Sequence, residues 1–338
     1  MTQTAIVTGA AGFIGSHLSE ELIKQGFLVL GIDNLAVGRR ENLSALKHDR
    51  FNFLEADIST LTIEDLPILK NELTHIYHLG ALADIVPSIQ LPGNYFQANV
   101  QGTFNMLEIA RKANVKKFLY AASSSCYGIP RTFPTPESAL VAPEYPYALT
   151  KFLGEAMALH WAKVYKLPVI SLRLFNVYGP RARTSGTYGA VFGVFLAQKR
   201  SGKPLTVVGD GEQTRDFTYV TDVVDAFISA AKSDVQCEVF NVGSGGTYSI
   251  NQLVALLGGE TVNIPKRPGE PDCTYADITK IMDSLGWQPR VSFEEGVKKM
   301  LAELDSWKNA PVWTPQTIAK ETKLWFKYLS YGETYPNE

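Results

Sequence analysis

The stretch Thr8-Gly9-Ala10-Ala11-Gly12-Phe13-Ile14-Gly15 decides how this chain is read. Its glycines fall at intervals of three, a spacing that chance alone supplies often enough to be weak evidence. The context is stronger. An apolar run, Ala5 to Thr8, precedes the glycines, and a helical pattern, Gly12 to Lys24, follows them. At such a strand-to-helix turn, glycines permit a tight bend and close backbone approach. The free N–H groups of the helix start then face a pyrophosphate. An ordinary glycine-rich turn is the competing reading. Asp33 follows the next apolar run, Phe27 to Ile32, about 20 residues beyond the glycines. A carboxylate there accepts hydrogen bonds from both hydroxyls of an adenosine ribose and repels a 2′-phosphate, which favours NAD over NADP. Arg39 and Arg40 stand nearby and could hold a phosphate, though a solvated loop explains them more simply. Asp57-Ile58 fits an adenine edge, or else Asp57 caps a turn.

Outward from this turn, short β-rich runs alternate with amphipathic stretches. Further strands are expected at Phe51 to Glu55, His75 to Leu79, Lys117 to Ala121 and Val169 to Arg173, with helices at Asn99 to Ala113 and Tyr147 to Val164. The alternation implies an α/β protein, a Rossmann-type doubly wound parallel sheet with right-handed crossovers. The pattern loosens after Phe175. Gly, Pro and Arg cluster from Gly179 to Gly193 and again from Pro265 to Pro271, while regular apolar segments return at Tyr219 to Ala231 and Val239 to Val242. A smaller α/β domain interleaved at the C-terminal side accounts for this. Residues 1–176 with about 219–242 would form the dinucleotide-binding domain, and about 177–218 with 243–338 the other.

Composition narrows the function. Lys and Arg number 32 against 34 Asp and Glu, a net charge of −2 that argues against a dominant nucleic-acid binder. Three widely spaced cysteines suit neither a disulfide scaffold nor a zinc site. His75 and His78 lack the further ligands a metal requires, so no metal is expected. Met1 to Ile6 carries no basic-then-apolar secretory pattern, and no apolar run approaches the ~20 residues of a membrane helix. A cytoplasmic protein without membrane attachment is the default.

Tyr147 and Lys151 lie four residues apart, on one helix face. A surface pair would need no function. A tyrosine acting as a base near neutral pH must lose about three pKa units from ~10, roughly 4 kcal/mol. A lysine and an oxidised nicotinamide, both cationic, can supply much of that. Ser123-Ser124-Ser125-Cys126-Tyr127-Gly128 follows the strand Lys117 to Ala121, where open α/β sheets bind ligands. A polar turn is the plainer alternative. Cys126 reads as a small packing residue.

Taken in order, these segments bring out a resemblance. His78-Leu79-Gly80-Ala81, Asn99-Val100-Gln101-Gly102-Thr103, Arg173 to Pro180 and Gly209 to Phe217 join the motifs above. From Thr4 to about Trp307 the chain resembles the extended short-chain dehydrogenase/reductases. Within them it is similar to the nucleotide-sugar epimerases and dehydratases, especially the UDP-hexose 4-epimerases.

The resemblance implies an NAD site of Gly9, Gly12, Phe13, Ile14, Gly15, Asp33, Asn34, Asp57, Ile58, Leu79, Ala81 and Asn99, with Tyr147 and Lys151. It implies that Tyr147 takes the proton of a sugar 4-hydroxyl while C4 gives hydride to NAD, with Lys151 and Ser123 assisting. The 4-keto sugar then turns over and hydride returns to its other face, with no net redox change. Family dehydratases carry Asp-Glu directly after the serine, and decarboxylases a Glu at the second position. Ser124 and Ser125 stand there instead, which favours epimerase over lyase. An NAD-binding sensor without turnover is disfavoured by the intact Ser123, Tyr147 and Lys151.

The substrate side, by the same resemblance, comprises Asp84, Ser88, Ser123, Ser124, Ser125, Asn176, Val191, Arg215, Arg267, Asp272 and Thr274. Asn176, Arg215 and Arg267 would hold the diphosphate, and Asp272 would lie near the nucleoside ribose. Thr274 would leave room for a 2-acetamido group or help hold a uronate. Asp84 could touch the sugar or cap a helix. The aromatic-rich residues 310–338 extend past the usual family end. A helix from Pro315 to Tyr328 would pack on its own domain, or cover the sugar cleft or a subunit contact. A homodimer through the segments Asn99 to Ala113 and Tyr147 to Val164 is expected, as is a place in polysaccharide supply.

Overall fold

In the computed structural model, residues 3–67, 72–182 and 189–330 are described. The strands are β1 Thr4–Thr8, β2 Leu28–Asp33, β3 Phe51–Glu55, β4 Leu73–His78, β5 Lys117–Ser123, β6 Val169–Leu174, β7 Asn176–Tyr178, β8 Leu205–Val208, β9 Thr214–Arg215, β10 Phe217–Tyr219, β11 Glu238–Val242, β12 Tyr248–Ser249 and β13 Thr261–Ile264. The α-helices are α1 Phe13–Lys24, α2 Ile85–Gln90, α3 Pro92–Tyr95, α4 Gly102–Ala113, α5 Pro146–Tyr165, α6 Val191–Arg200, α7 Val220–Lys232, α8 Ile250–Leu257, α9 Thr279–Leu285, α10 Phe293–Ala302 and α11 Pro315–Leu329.

Seven parallel strands form one sheet in the order β11-β6-β5-β4-β1-β2-β3. The order reverses beside β1, so a crevice opens at the carboxyl ends of β1 and β4. Strands buried on both faces need apolar residues throughout, and β1 is buried along its whole length. α1 and α7 cover one face with Leu18, Leu22, Val223 and Phe227. α4 and α5 cover the other with Met106, Leu107, Ala158 and Ala162. The chain leaves the sheet after β6 and returns through α7 to β11, beside β6.

The helix expected from Asn99 is not uniform. A π-helical turn, Phe96–Gln101, precedes α4. It turns Asn99 inward, where its amide bonds Leu82 and Thr150. The elements beyond the sheet gather on a separate apolar cluster that includes Tyr178, Phe192, Phe217, Leu253, Phe293 and Ile318. Two-stranded pairings, β10 with β7 and β13 with β8, carry the segments that face back toward the sheet.

Candidate active site

A cleft of about 690 Å³ runs from the glycine turn, across the carboxyl ends of the sheet, to α6 and the C-terminal segment. At the turn, Gly9 has φ +70°, a conformation other residues reach only with strain. A Cβ on Gly15 would lie 2.1 Å from the Gly9 carbonyl oxygen, so no larger residue can start α1 this close to β1. Asp33 ends β2. Its carboxylate accepts hydrogen bonds from Ala11 N at 3.0 Å and Leu35 N at 2.8 Å. Burial pushes its pKa up, and those two bonds oppose the shift. Asn34 donates to Asp57 at 3.0 Å, joining the ends of β2 and β3. Asp57 also caps its turn by accepting from Ser59 N, the plainer of its two sequence readings. Burial raises the Asp57 pKa, but these hydrogen bonds bring it below the ordinary carboxylate value.

This cradle of backbone and two carboxylates fits a dinucleotide with an unphosphorylated adenosine ribose. Gly9, Gly12, Phe13, Ile14, Gly15, Asp33, Asn34, Asp57, Ile58, Leu79 and Ala81 all line it. Arg39 departs from the solvated-loop expectation: it lines the cleft, and its guanidinium donates to the backbone oxygens of Arg181 and Ala182. Arg40 instead pairs with Glu55 on the exposed side.

Beneath the cradle, Thr8 Oγ1 accepts from Leu79 N and Gly80 N and meets His78 Nδ1 at 2.8 Å. His78 Nε2 meets Thr103 Oγ1, which donates to the Asn99 carbonyl oxygen. Burial holds His78 neutral, with its pKa lowered to about 3. Asn99 reaches this cradle from the π-helical turn. It is absent from the cleft lining and acts through Leu82, whose backbone it holds at both N–H and C=O.

In the middle of the cleft lie Ser123, Ser124, Ser125, Tyr147 and Lys151. Ser123 ends β5, its hydroxyl meets Ser125 Oγ at 2.8 Å, and it lies close enough to the Tyr147 phenol to favour its charged form. Tyr147 and Lys151 occupy the first turns of α5. The Tyr147 ring lies parallel to Tyr145, 6.4 Å between centroids, with Tyr95 edge-on at 6.5 Å. Lys151 Nζ sits 4.5 Å from the centre of the Tyr120 ring.

The protein's own groups do not by themselves make this phenol acidic; the sequence expectation counts an oxidised nicotinamide beside the lysine. Burial raises the Tyr147 pKa; the Ser123 hydrogen bond opposes the rise and the Asp84 carboxylate adds to it. Burial also lowers Lys151 to about 7, with Glu155 resisting. The reason is desolvation, which disfavours phenolate and ammonium alike when they share a dry site. Cys126 is buried with its thiol pushed up to about 12 by burial, which suits packing rather than reaction.

Toward the far end, Arg215 donates to Glu270 at 3.0 Å, and Arg267 lies 3.7 Å from the same carboxylate. Burial works against the Glu270 charge, yet the two guanidinium groups hold its pKa below the ordinary value. Thr274 Oγ1 donates to Asn176 Oδ1 at 2.8 Å and accepts from Asp216 N at 3.0 Å. Val191, Asn176, Arg215, Arg267 and Thr274 all line the cleft. Asp84 lines it too. It occupies the N-cap position of α2, but its side chain makes no capping bond.

Two further residues stand apart from the cleft. Ser88 is fully buried inside α2, donating to the Ile85 carbonyl oxygen at 2.6 Å. Asp272 points outward to Lys266, and neither residue lines the cleft. Sequence reasoning passed over Glu270 and Tyr145, which do, whereas Trp325, which also lines it, belongs to the aromatic-rich helix offered as a cover for the sugar cleft. Glu270 stands in an irregular Pro-Gly loop, where no helical period signals that it returns to Arg267.

The glycine cradle at the switch point and the Ser-Tyr-Lys set on β5 and α5 define a Rossmann-fold enzyme of the dehydrogenase/reductase kind. The chain belongs to the extended short-chain dehydrogenase/reductases, in the family described as GDP-mannose 4,6 dehydratase, whose model matches residues 6–300. It is 37% identical over 302 residues to the UDP-glucose 4-epimerase of Mycolicibacterium smegmatis, covering 87% of this chain and 96% of that one. Among solved structures it is similar to the UDP-N-acetylglucosamine 4-epimerase from Methanobrevibacter ruminantium M1 in complex with UDP-N-acetylmuramic acid. That match has a TM-score of 0.85 and 32% identity, over 90% of this chain and 99% of that one. The UDP-glucuronic acid 4-epimerase from Bacillus cereus, in complex with UDP-glucuronic acid and NAD, matches with a TM-score of 0.82 and 32% identity over the same shares.

Proposed function

We propose that this protein is an NAD-dependent isomerase that inverts C4 of a UDP-linked sugar. One observation carries the choice. Ser123 and Tyr147 share the middle of the cleft, and the two positions after Ser123 hold Ser124 and Ser125. A hydroxyl pair can handle the proton of one sugar alcohol. No carboxylate stands there to abstract a second proton, as loss of water across C5–C6 requires.

NAD, when bound, supplies a hydride acceptor and donor and a positive charge beside the phenol. Gly9 to Gly15 and Asp33 would hold its pyrophosphate and ribose, and Asp57 and Ile58 its adenine. Ser123 and Tyr147 would flank the sugar O4. Tyr147 takes its proton as the ketone forms and gives it back after the sugar has turned. Lys151, able to gain or lose a proton near neutral pH, steadies the phenolate through that interval. Arg215 and Arg267 grip the diphosphate, for which planar guanidinium is suited. Asn176 and Thr274 orient the sugar. Thr274's hydroxyl is already committed to Asn176 and Asp216, which favours the reading in which it leaves space over the one in which it holds a uronate.

The family's dehydratase name favours one rival, a lyase of the same cleft. Incubation with UDP-, dTDP-, GDP- and CDP-sugars, followed by NMR and mass measurement, separates them. An isomerase leaves the mass unchanged, whereas a lyase product is lighter by water or carbon dioxide. Tyr147→Phe should reduce turnover by about 10²–10⁴-fold while NAD still binds. Full activity in that variant would overturn the assigned base.

The same reading includes a homodimer. Phe96, Phe104, Leu149, Val164 and Tyr165 are exposed on or beside α4 and α5, a face suited to a second copy. Among the described residues no helix is long and apolar enough to cross a membrane. Action on cytoplasmic sugar nucleotides for polysaccharide synthesis belongs to this proposal.

A further inference from the structure

The last residue matched by the family model is 300, and α11 begins at Pro315. The helix is well specified. Thr314 accepts from Thr317 N at its start, and Pro315 occupies the first turn. Ile318 enters the cluster beyond the sheet, while Trp325 and Leu329 bury against Val86 of α2. The helix thus spans from one side of the cleft to the other.

Trp325 makes three contacts that matter there, and it is only 2% exposed. Its Nε1–H donates to the Pro268 carbonyl oxygen at 2.7 Å. Its ring faces the Arg267 guanidinium, 5.4 Å from the centroid. It also packs on Tyr145 at 6.4 Å, the ring that lies parallel to Tyr147. One indole therefore holds both the backbone and the side chain of the Arg267 loop and touches the wall behind the phenol.

We propose that Trp325, delivered by a C-terminal helix outside the family's matched region, is a positioning residue that holds Arg267 ready for the substrate diphosphate. The inference rests on the nucleotide-sugar reading above. Arginine is an effective phosphate clamp only when its planar fork is fixed beforehand, and a ring face and a pinned loop backbone supply that constraint.

Calorimetric titration of the full chain with UDP tests this without requiring turnover. Trp325→Ala should weaken UDP binding roughly tenfold, within the range of a buried cation–π contact and one hydrogen bond. NAD affinity should stay within about twofold. Trp325→Phe keeps an aromatic face and loses only the bond to Pro268, so it should retain most of the affinity and guards against misfolding of the alanine variant. With a sugar substrate, KM should rise more than kcat falls. Thermal stability should fall for Trp325→Ala on either reading, and a merely structural helix would weaken NAD and UDP together. Undiminished UDP binding by Trp325→Ala, or equal losses for both ligands, overturns the inference alone. A wild-type chain that binds no UDP overturns it together with the nucleotide-sugar reading.

Discussion

At one end of the cleft, eight consecutive residues from Thr8 to Gly15 build the turn that faces a dinucleotide. At the other end, Arg215 meets Glu270 from 55 residues away, and Trp325 reaches Pro268 across 57. The first site is made of backbone, and its shape follows from where a Cβ is forbidden. The second is made of side chains that different segments bring together. A backbone site tolerates little change within its turn but depends little on the rest of the chain. A side-chain site depends on every segment that contributes to it.

The largest effect expected is on the ground the two ends share. Glu155 of α5 and Arg173 of β6 form a buried pair at 2.6 Å, with Ser171 donating to the same carboxylate. Arg173 also donates to Tyr127, whose hydroxyl bonds Asn241 of β11. Glu155→Ala leaves the guanidinium buried and unpaired, which should cost about 3–5 kcal/mol of unfolding free energy in a urea titration. A loss under about 1 kcal/mol would mean that α5, which carries Tyr147 and Lys151, is held by apolar packing instead.

Gly15→Ala separates the two ends directly. Its new Cβ would collide with the Gly9 carbonyl, 2.1 Å away, so β1 and α1 must part. Stability should fall by about 1–3 kcal/mol. NAD affinity should fall sharply while UDP affinity holds. Equal loss of both ligands would show that the ends are coupled, against the contrast drawn above.

The same contrast explains what could be read from the sequence. Ala5 to Thr8 was legible because buried parallel strands demand apolar runs, and Phe51 to Glu55, a half-buried edge strand, because Phe51, Phe53 and Leu54 are the positions withdrawn from solvent. The glycine turn and Asp33 were legible because backbone geometry restricts which residues fit. Asn99 was assigned to the cofactor, but a π-helical turn points it at Leu82. Glu270 faces the guanidinium pair while Asp272, two residues on, pairs with Lys266, and side-chain direction in an irregular loop has no period to read. Of the C-terminal aromatics, Trp325 enters the cleft while Tyr328 is exposed, a division decided by α2 and the Arg267 loop, far away in sequence. Tyr331 and Tyr335 lie outside the described residues, as do 183–188 of the Gly179 to Gly193 stretch.

The smallest effect expected sits where the two ends meet. Asp84, at the start of α2, adds to the rise in the Tyr147 pKa that burial begins. Asp84→Asn removes that charge and keeps the shape, so the phenol should deprotonate more readily. The base form is the active one in the forward step, so the rising limb of kcat/KM against pH should move to lower pH. Turnover at pH values above the limb should change little, because the phenol there has already lost its proton. An unmoved limb would mean that solvent or a bound sugar screens Asp84 from the phenol, and the acidity of Tyr147 would then be set by desolvation and Ser123 alone. A limb displaced to higher pH would reverse the sign of the electrostatics described for the centre of the cleft.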